Sequence, residues 1–233
     1  MIEAAVLEKL RAFDTPTICN ALEIVDPARR LTGFTMRPLV CPFPDLPPVV
    51  GYARTATIRS THPNELDAKA ARAQRVGYYE YVASGGPSPA VVVIQDLDGA
   101  EVGFGAFWGE VQSTVHKALG VAGVVTDGSI RDIPQWAPGL AVLAGSIQPS
   151  HAHVHLDGYG REVRVAGMVV RSGDLIHMDR HGAAVIPAAL AAKLPAACDL
   201  LARKEAVILD MARAPGFTVE KLKEALARQD EIH

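Results

Sequence analysis

Apolar residues open the chain at helical spacing, with Ile2, Val6, Leu10 and Phe13 on one face. Thr15-Pro16 then offers a hydroxyl cap with proline at the first helical position, starting a second helix through Ile18, Leu22 and Val25. Five prolines within residues 38–48 exclude both a helix and an interior strand, so that stretch is an extended loop. Residues 51–60 alternate and are rich in Thr, Tyr and Ile, which suits a strand. Asn64, with Asp67 three residues on, caps a helix whose narrow inner face is Leu66, Ala70, Ala73, Gly77 and Tyr81, ending near Gly85-Gly86. The β-branched run 90–95 is a buried strand, 96–99 a turn and 102–107 a second strand.

A helix then begins at Trp108-Gly109-Glu110, turns Val111, Val115, Ala118 and Leu119 inward, and stops at Gly120 in a left-handed cap. The stretch 120–132, GVAGVVTDGSIRD, ends that helix, runs a short buried strand and delivers Arg131 and Asp132 side by side. Residues 140–144 are the next buried strand, and short β segments follow at 151–156, 162–170, 174–178 and 183–186, separated by turn signals at 157–158, 172–173 and 181–182. Two helices close the chain, 188–212 with a break near Pro195 and 218–229 capped by Thr218. Strand and helix alternate without a linker or repeat, so residues 1–233 are expected to form one α/β domain with helices at both ends.

Composition narrows the function classes. A chain of 233 residues that is 49% hydrophobic can bury a sizeable core. Its net charge of −3 and lack of a basic block make nucleic acid a poor partner. Cys19, Cys41 and Cys198 lie far apart with no CxxC, which points to a reducing compartment rather than a disulfide frame or zinc cluster. No apolar run approaches the ~18 residues of a membrane span, and the start has no basic region. The expectation is a soluble, cytoplasmic protein without a membrane partner.

Candidate chemistry gathers around 109–132. If residues 109–112 are the first turn of a helix, their backbone N–H groups lack intrahelical partners and the macrodipole adds positive charge, so Gly109, Glu110, Val111 and Gln112 offer a small anion site. Arg131 adds a bidentate fork for a carboxylate. Asp132, and Glu110 with twenty residues between it and Arg131, supply oxygen ligands of the kind Mg²⁺ or Mn²⁺ prefers. Such a set suits a 2-oxo acid, its carboxylate on Arg131 and its keto oxygen toward the metal. Polarising that keto group lowers the cost of the enolate that retro-aldol cleavage or β-decarboxylation produces. Lys117, in mid-helix, is more simply a solvated charge than a Schiff-base lysine.

WGE followed by GVAGVVTDGSIRD, with DTPT at 14–17, GYARTAT at 51–57 and GDLIHMDRHGAAVIP at 173–187, resembles the RraA-like family over most of the chain. That family holds divalent-metal-dependent 4-hydroxy-4-methyl-2-oxoglutarate/4-carboxy-4-hydroxy-2-oxoadipate (HMG/CHA) aldolases and ribonuclease E regulators. The resemblance implies a three-layer β/β/α swivelling-type fold, in trimers or hexamers with interfacial active sites. It further implies Arg131 as substrate ligand and candidate enolate stabiliser, Asp132 as metal ligand, Glu110 as the residue orienting water, and backbone amides at 109–112 on the pyruvyl group. A carboxylate from a neighbouring subunit's C-terminal helix is matched by Glu205. Two departures bear on the aldol substrate: Gln112 stands where an apolar residue is expected, and Glu110 where the aldolases carry Asp.

Plainer readings compete. A bare Arg-Asp dipeptide is ordinarily a surface ion pair. His151, His153 and His155 would share one strand face, as ligands or simply as a polar face. His177, Asp179 and His181, like Trp108, read as structural; Asp127 orders its turn or holds Arg131; and Cys19 and Cys41 are buried apolar residues. For the whole chain, the alternatives to a lyase that releases pyruvate from 4-hydroxy-2-oxo diacids, or decarboxylates oxaloacetate, are a ring-shaped regulator of another protein and a lyase or hydratase of sugar-derived 2-oxo acids.

Overall fold

The computed structural model describes residues 2–232. The helices are α1 (Ala4–Arg11), α2 (Thr15–Val25), α3 (Ala68–Ser84), α4 (Glu110–Ala118), α5 (Leu194–Arg213) and α6 (Val219–Asp230). The strands are β1 (Val49–Arg59), β2 (Ala90–Asp96), β3 (Ala106–Trp108), β4 (Val121–Thr126), β5 (Ser129–Ile130), β6 (Ala141–Leu143), β7 (Ser146–Ile147), β8 (His155–Tyr159), β9 (Val163–Val165), β10 (Met168–Val170), β11 (Leu175–Asp179) and β12 (Gly182–Ile186). The architecture is mixed α/β, as expected.

A curled seven-stranded sheet runs β12-β11-β1-β2-β4-β6, with β8 also on β1. The eleven residues of β1 explain the branching: Val49–Tyr52 pair antiparallel with β11, and Ala56–Arg59 with β8. β1, β2, β4 and β6 are mutually parallel, so both of their faces need cover. Val92, Ile94 and Val124 enter one core beneath α3, α4 and Trp108, while Val91, Val93 and Val125 enter another beneath the β9–β10 hairpin. That is why AVVVIQ carries no polar alternation. A third cluster joins Leu10, Ile18 and Leu194 of α1, α2 and α5 to Val50, Leu175 and Ile186.

Several local expectations need correction. Asp14, not Thr15, caps α2 by accepting from the Thr17 N–H at 2.9 Å. Asp67, not Asn64, caps α3 through the Ala70 N–H, and the helix buries Tyr78 and Val82 while Leu66 and Ala73 stay exposed. The close approach predicted at Gly77 is present, since a Cβ there would lie 2.6 Å from the Tyr159 hydroxyl. The strand expected at 102–107 begins only at Ala106 and runs to Trp108, because Gly103 has φ +84° and donates to Asp96, turning the chain. Residues 162–170 form a hairpin, with Ala166 (φ +48°) and Gly167 (φ +93°) at its tip. Residues 151–154 form a turn, so the three histidines share no strand face. Pro195 sits in the first turn of α5, and Thr218 caps α6 through the Lys221 N–H.

His177 is fully buried, between the Thr15 hydroxyl at 2.9 Å and the Leu10 and Phe13 carbonyls at 3.2 and 3.1 Å. Carbonyls only accept, so Nε2 carries the proton and Nδ1 takes the hydroxyl's; burial, opposed by these carbonyls and by Asp179, lowers the pKa. Asp179 accepts from the Thr15 and His181 N–H groups at 2.9 and 2.8 Å. These residues fasten the N-terminal helices to β11, which is the structural role expected of them.

Candidate functional site

The small parallel sheet β3-β5-β7 places the Arg-Asp pair. Trp108 and Ile130 are paired residues, and the Arg131 N–H donates to the Trp108 carbonyl at 2.9 Å. Because β3 leads into α4 and β5 leads into Arg131, the pairing brings Arg131 and Asp132 against the first turn of that helix. Asp132 adopts φ +55°, ψ +41°, a left-handed conformation that Asp tolerates better than most residues, and the chain then enters a 3₁₀ turn at Ile133–Gln135.

Gly109 caps α4 and has no side chain to offer. Asp132 substitutes for it: Oδ2 accepts from the Glu110 N–H at 3.3 Å. A Cβ on Gly109 would lie 2.5 Å from that oxygen and 3.2 Å from Arg131 Cγ, so only glycine leaves room for this approach. The Val111 and Gln112 amides make no hydrogen bond among the described residues, and they and the helix dipole present positive charge. Arg131 Nε stands 3.7 Å from Asp132 Oδ2, both side chains a little over one-third exposed. An ion pair so exposed contributes at most about 1 kcal/mol, too little to account for the left-handed turn and the glycine cap beside it.

Behind the site lies a polar core. Ser113 donates to the Glu110 carbonyl at 3.0 Å and accepts from the Ala137 N–H at 3.1 Å, tying α4 to the segment after Asp132. The Tyr79 hydroxyl donates to Gln112 Oε1 at 2.9 Å. His116, fully buried, lies 2.7 Å from the Gln112 carbonyl through Nδ1 and 2.8 Å from the Tyr78 hydroxyl through Nε2. Thus Ser113 and His116 turn inward, whereas Val111, expected inside, is 70% exposed beside the cavity. Trp108 is completely buried, 4.4 Å from His116 between ring centroids, and is a core residue.

Burial holds His116 neutral and lowers its pKa from 6.5 to about 4. The folded value lies below the unfolded one, so this contribution to stability is complete above pH 6.5 and is lost as pH falls toward 4. Asp127 acts oppositely: burial first, then Asp96 nearby, raises it to about 6 against the pull of backbone N–H groups and Arg37. The stability advantage of wild type over His116→Gln should therefore shrink by up to about 3 kcal/mol between pH 7 and 4.5, read from urea unfolding at each pH. A pH-independent difference would place His116 in a solvated setting. Asp127 does not hold Arg131; its carboxylate accepts from the Asp96 N–H at 2.9 Å, joining the ends of β2 and β4.

Arg131, Asp132, Gly109, Glu110, Val111 and Gln112 all line one open cavity of about 370 Å³. Asn64, Gln74, Arg75, His151 and His155 line it too, with Phe107, Val154 and Leu156 among the apolar residues. The sequence reading missed the contribution of α3, although Gln74-Arg75 interrupting a small-residue face was a usable signal. Glu205 is exposed on α5 and does not line this cavity.

Among the described residues no three His, Cys, Asp or Glu side chains are grouped closely enough to form a metal cage. Asp132 Oδ1 accepts no hydrogen bond among the described residues, and Glu110 is exposed on the same cavity. One or two carboxylates fit a cation that keeps most of its water, as Mg²⁺ does and a closed zinc site does not.

By fold and site, this is an α/β protein with an open cavity that joins an arginine fork, a carboxylate and a helix start. A sequence model of the RraA-like family, described as Aldolase/RraA, matches residues 15–185, and the chain belongs to that family. The family includes HMG/CHA aldolases and ribonuclease E inhibitors. Among solved structures the chain is similar to an uncharacterized protein from Pseudomonas syringae pv. tomato str. DC3000, with 22% identity, TM-score 0.70, and 96% of this chain and 94% of that one covered. It is similar to Streptomyces coelicolor RraAS2, described as an unusual member of the RNase ES inhibitor RraA family, with 22% identity, TM-score 0.69, and coverage of 88% and 95%. The RNA-processing inhibitor RraA from Thermus thermophilis follows at 19% identity, TM-score 0.52, and coverage of 72% and 92%. At these identities the likeness is one of fold. No curated protein matches. No helix among the described residues is long and apolar enough to cross a membrane.

Proposed function

We propose that this protein is a divalent-metal-dependent lyase that releases pyruvate from 4-hydroxy-2-oxo diacids, with oxaloacetate decarboxylation as the related reaction. The observation that carries this reading is the convergence of Arg131, Asp132 and the unbonded Val111 and Gln112 amides on one cavity. Arg131 binds the substrate carboxylate, and the amides bind the pyruvyl head. Asp132, with Glu110 through water, would hold Mg²⁺ or Mn²⁺, which supplies a Lewis acid for the 2-keto oxygen. Arg131 also faces the negative charge that develops as the carbon–carbon bond breaks, and the dipole of α4 adds to this. Glu110 orients water at the cavity mouth.

This reading includes assembly into trimers or hexamers, with a neighbouring copy's Glu205 approaching the cavity; sedimentation of wild type and turnover by Glu205→Gln test it. The RraA descriptions of two structural neighbours favour a second reading, a ring-shaped regulator that docks on another protein. The two separate in one assay. The lyase reading expects pyruvate release from 4-hydroxy-4-methyl-2-oxoglutarate or oxaloacetate with Mg²⁺ or Mn²⁺, abolished by chelator and restored by metal. A folded, metal-loaded protein that cleaves no such substrate, but retains a stoichiometric partner in pull-down, would establish the second reading instead.

A further inference from the structure

We propose that the cavity wall built by α3 and the turn at residues 150–155 is a second anion-binding subsite, formed by Arg75, His151 and His155, for an acidic group carried on the substrate's tail. This inference rests on the head-group reading above and assigns the residues that select the rest of the substrate.

The first observation is an uncompensated cation. Arg75 lines the cavity and makes no hydrogen bond or ion pair among the described residues. Around the cavity two arginines, Arg75 and Arg131, balance two carboxylates, Glu110 and Asp132, before any metal is counted. A bound dication therefore leaves positive charge on this chain's share of the cavity, which favours an acidic ligand.

The second is the orientation of two imidazoles. His151 Nδ1 lies 2.7 Å from the Ala152 carbonyl, and His155 Nδ1 lies 2.8 Å from the His153 carbonyl. A carbonyl can only accept, so in both rings the proton sits on Nδ1 and Nε2 is the free nitrogen. Once protonated, Nε2 becomes a charge-assisted donor to an acidic oxygen.

The third is that the turn carrying them is pinned. Ala152 sits at φ +45°, a left-handed conformation unusual for alanine. Ser150 accepts the Ala106 N–H at 2.9 Å through its carbonyl and the Ala152 N–H at 3.0 Å through its hydroxyl. The His153 N–H donates to the Ser60 carbonyl at 3.1 Å, and Ser60 is itself held by Asp98 at 2.6 and 2.7 Å. Gly105 permits this approach, since a Cβ there would lie 2.6 Å from the His151 carbonyl oxygen. Gln74 donates to the Asp157 carbonyl at 3.2 Å and so ties α3 to β8, and Arg75 lines the same cavity as the two imidazoles. A turn so restrained pre-orders its imidazoles before a ligand arrives.

The test compares uncleavable probes of equal chain length, titrated calorimetrically into the full-length protein with Mg²⁺. The probes are 2-oxoglutarate, 2-oxopentanoate, which lacks the tail carboxylate, and 2-oxo-4-phosphonobutanoate. Binding of 2-oxoglutarate should be at least about tenfold tighter than that of 2-oxopentanoate. Arg75→Gln and the pair His151→Gln/His155→Gln should remove that preference, and Arg131→Ala should weaken every probe. The imidazole resonances of His151 and His155 should shift with 2-oxoglutarate and not with 2-oxopentanoate. Tighter binding of the phosphonate would name phosphate as the tail group and still support the subsite. Equal affinity for 2-oxoglutarate, the phosphonate and 2-oxopentanoate, with Arg131 dependence retained, would overturn the subsite and leave the head-group reading standing. Binding insensitive to Arg131, or no binding of any probe, would overturn both.

Discussion

Asp132→Asn should lower kcat/KM for pyruvate release by about 10³-fold at fixed, near-physiological Mg²⁺, with thermal stability nearly unchanged. Asparagine is the informative replacement because of the backbone: at φ +55° it is tolerated almost as well as Asp, and its amide oxygen can still accept from the Glu110 N–H. What it lacks is the charge that favours a hard cation. Alanine would remove that charge and also strain the turn, by about 1–2 kcal/mol. Raising Mg²⁺ or Mn²⁺ should partly rescue Asp132→Asn, whereas Arg131→Ala should show mainly a raised KM that metal does not restore. Steady-state pyruvate assays across metal concentrations read both. Wild-type kinetics in Asp132→Asn at low metal would remove this carboxylate from the chemistry.

Gly145→Ala should be the most damaging of the glycine replacements near the site, costing about 3 kcal/mol or more or preventing folding. A Cβ at Gly145 would overlap the Asp127 carbonyl, with the carbonyl carbon at 2.7 Å, and this obstacle is backbone rather than a side chain that can swing away. The Gly145 N–H also donates to the Gly128 carbonyl at 2.9 Å, so relief of the clash would pull on the turn that leads into β5 and Arg131. Gly120→Ala is the comparison. Gly120 has φ +85° but nothing within 4 Å of its would-be Cβ, so only backbone strain of about 1–2 kcal/mol applies. Urea unfolding of the two variants should separate them by at least about 1 kcal/mol; equal losses would mean that the segment at 145 yields freely.

Much of this arrangement can be read without coordinates where one strong local rule applies. AVVVIQ is a strand buried on both faces, Gly120 ends α4 in a left-handed conformation, and the break expected near Pro195 is the passage from a 3₁₀ turn at Ala191–Lys193 into α5. The reading fails where tertiary contacts decide. α3 buries Tyr78 and Val82 rather than the small residues because Tyr78 packs on Phe107 of β3 and His116 of α4, which lie in other elements. α4 turns Ser113 and His116 inward because Ala137 and Tyr78 satisfy them, partners that periodicity cannot supply. The alternating histidines suggest a strand face, but the hydrogen bond from the His153 N–H to Ser60 and the approach at Gly105 fold residues 151–154 into a turn.

The pairing of Glu110 with Arg131-Asp132 was legible because a helix followed by extended chain, β4 and then β5, separates them, a connection that returns the chain to its starting end. The role of Gly109 was not: its importance lies in the absence of a Cβ 2.5 Å from Asp132 Oδ2, which is a fact of packing. Nor could spacing reveal that α3 and the turn at 150–155 close the other side of the same cavity.

In the proposed lyase, Arg131, Asp132 and the start of α4 together hold the head of a 2-oxo acid beside a divalent cation. A crystal structure of the protein with oxalate, a mimic of the pyruvate enolate, and Mn²⁺ tests it most directly, because the metal's anomalous scattering locates it independently. Oxalate is expected against the Arg131 guanidinium and the Val111 and Gln112 amides, with Mn²⁺ at Asp132. Oxalate and metal bound together at any other place, with this cavity holding only water, would contradict it.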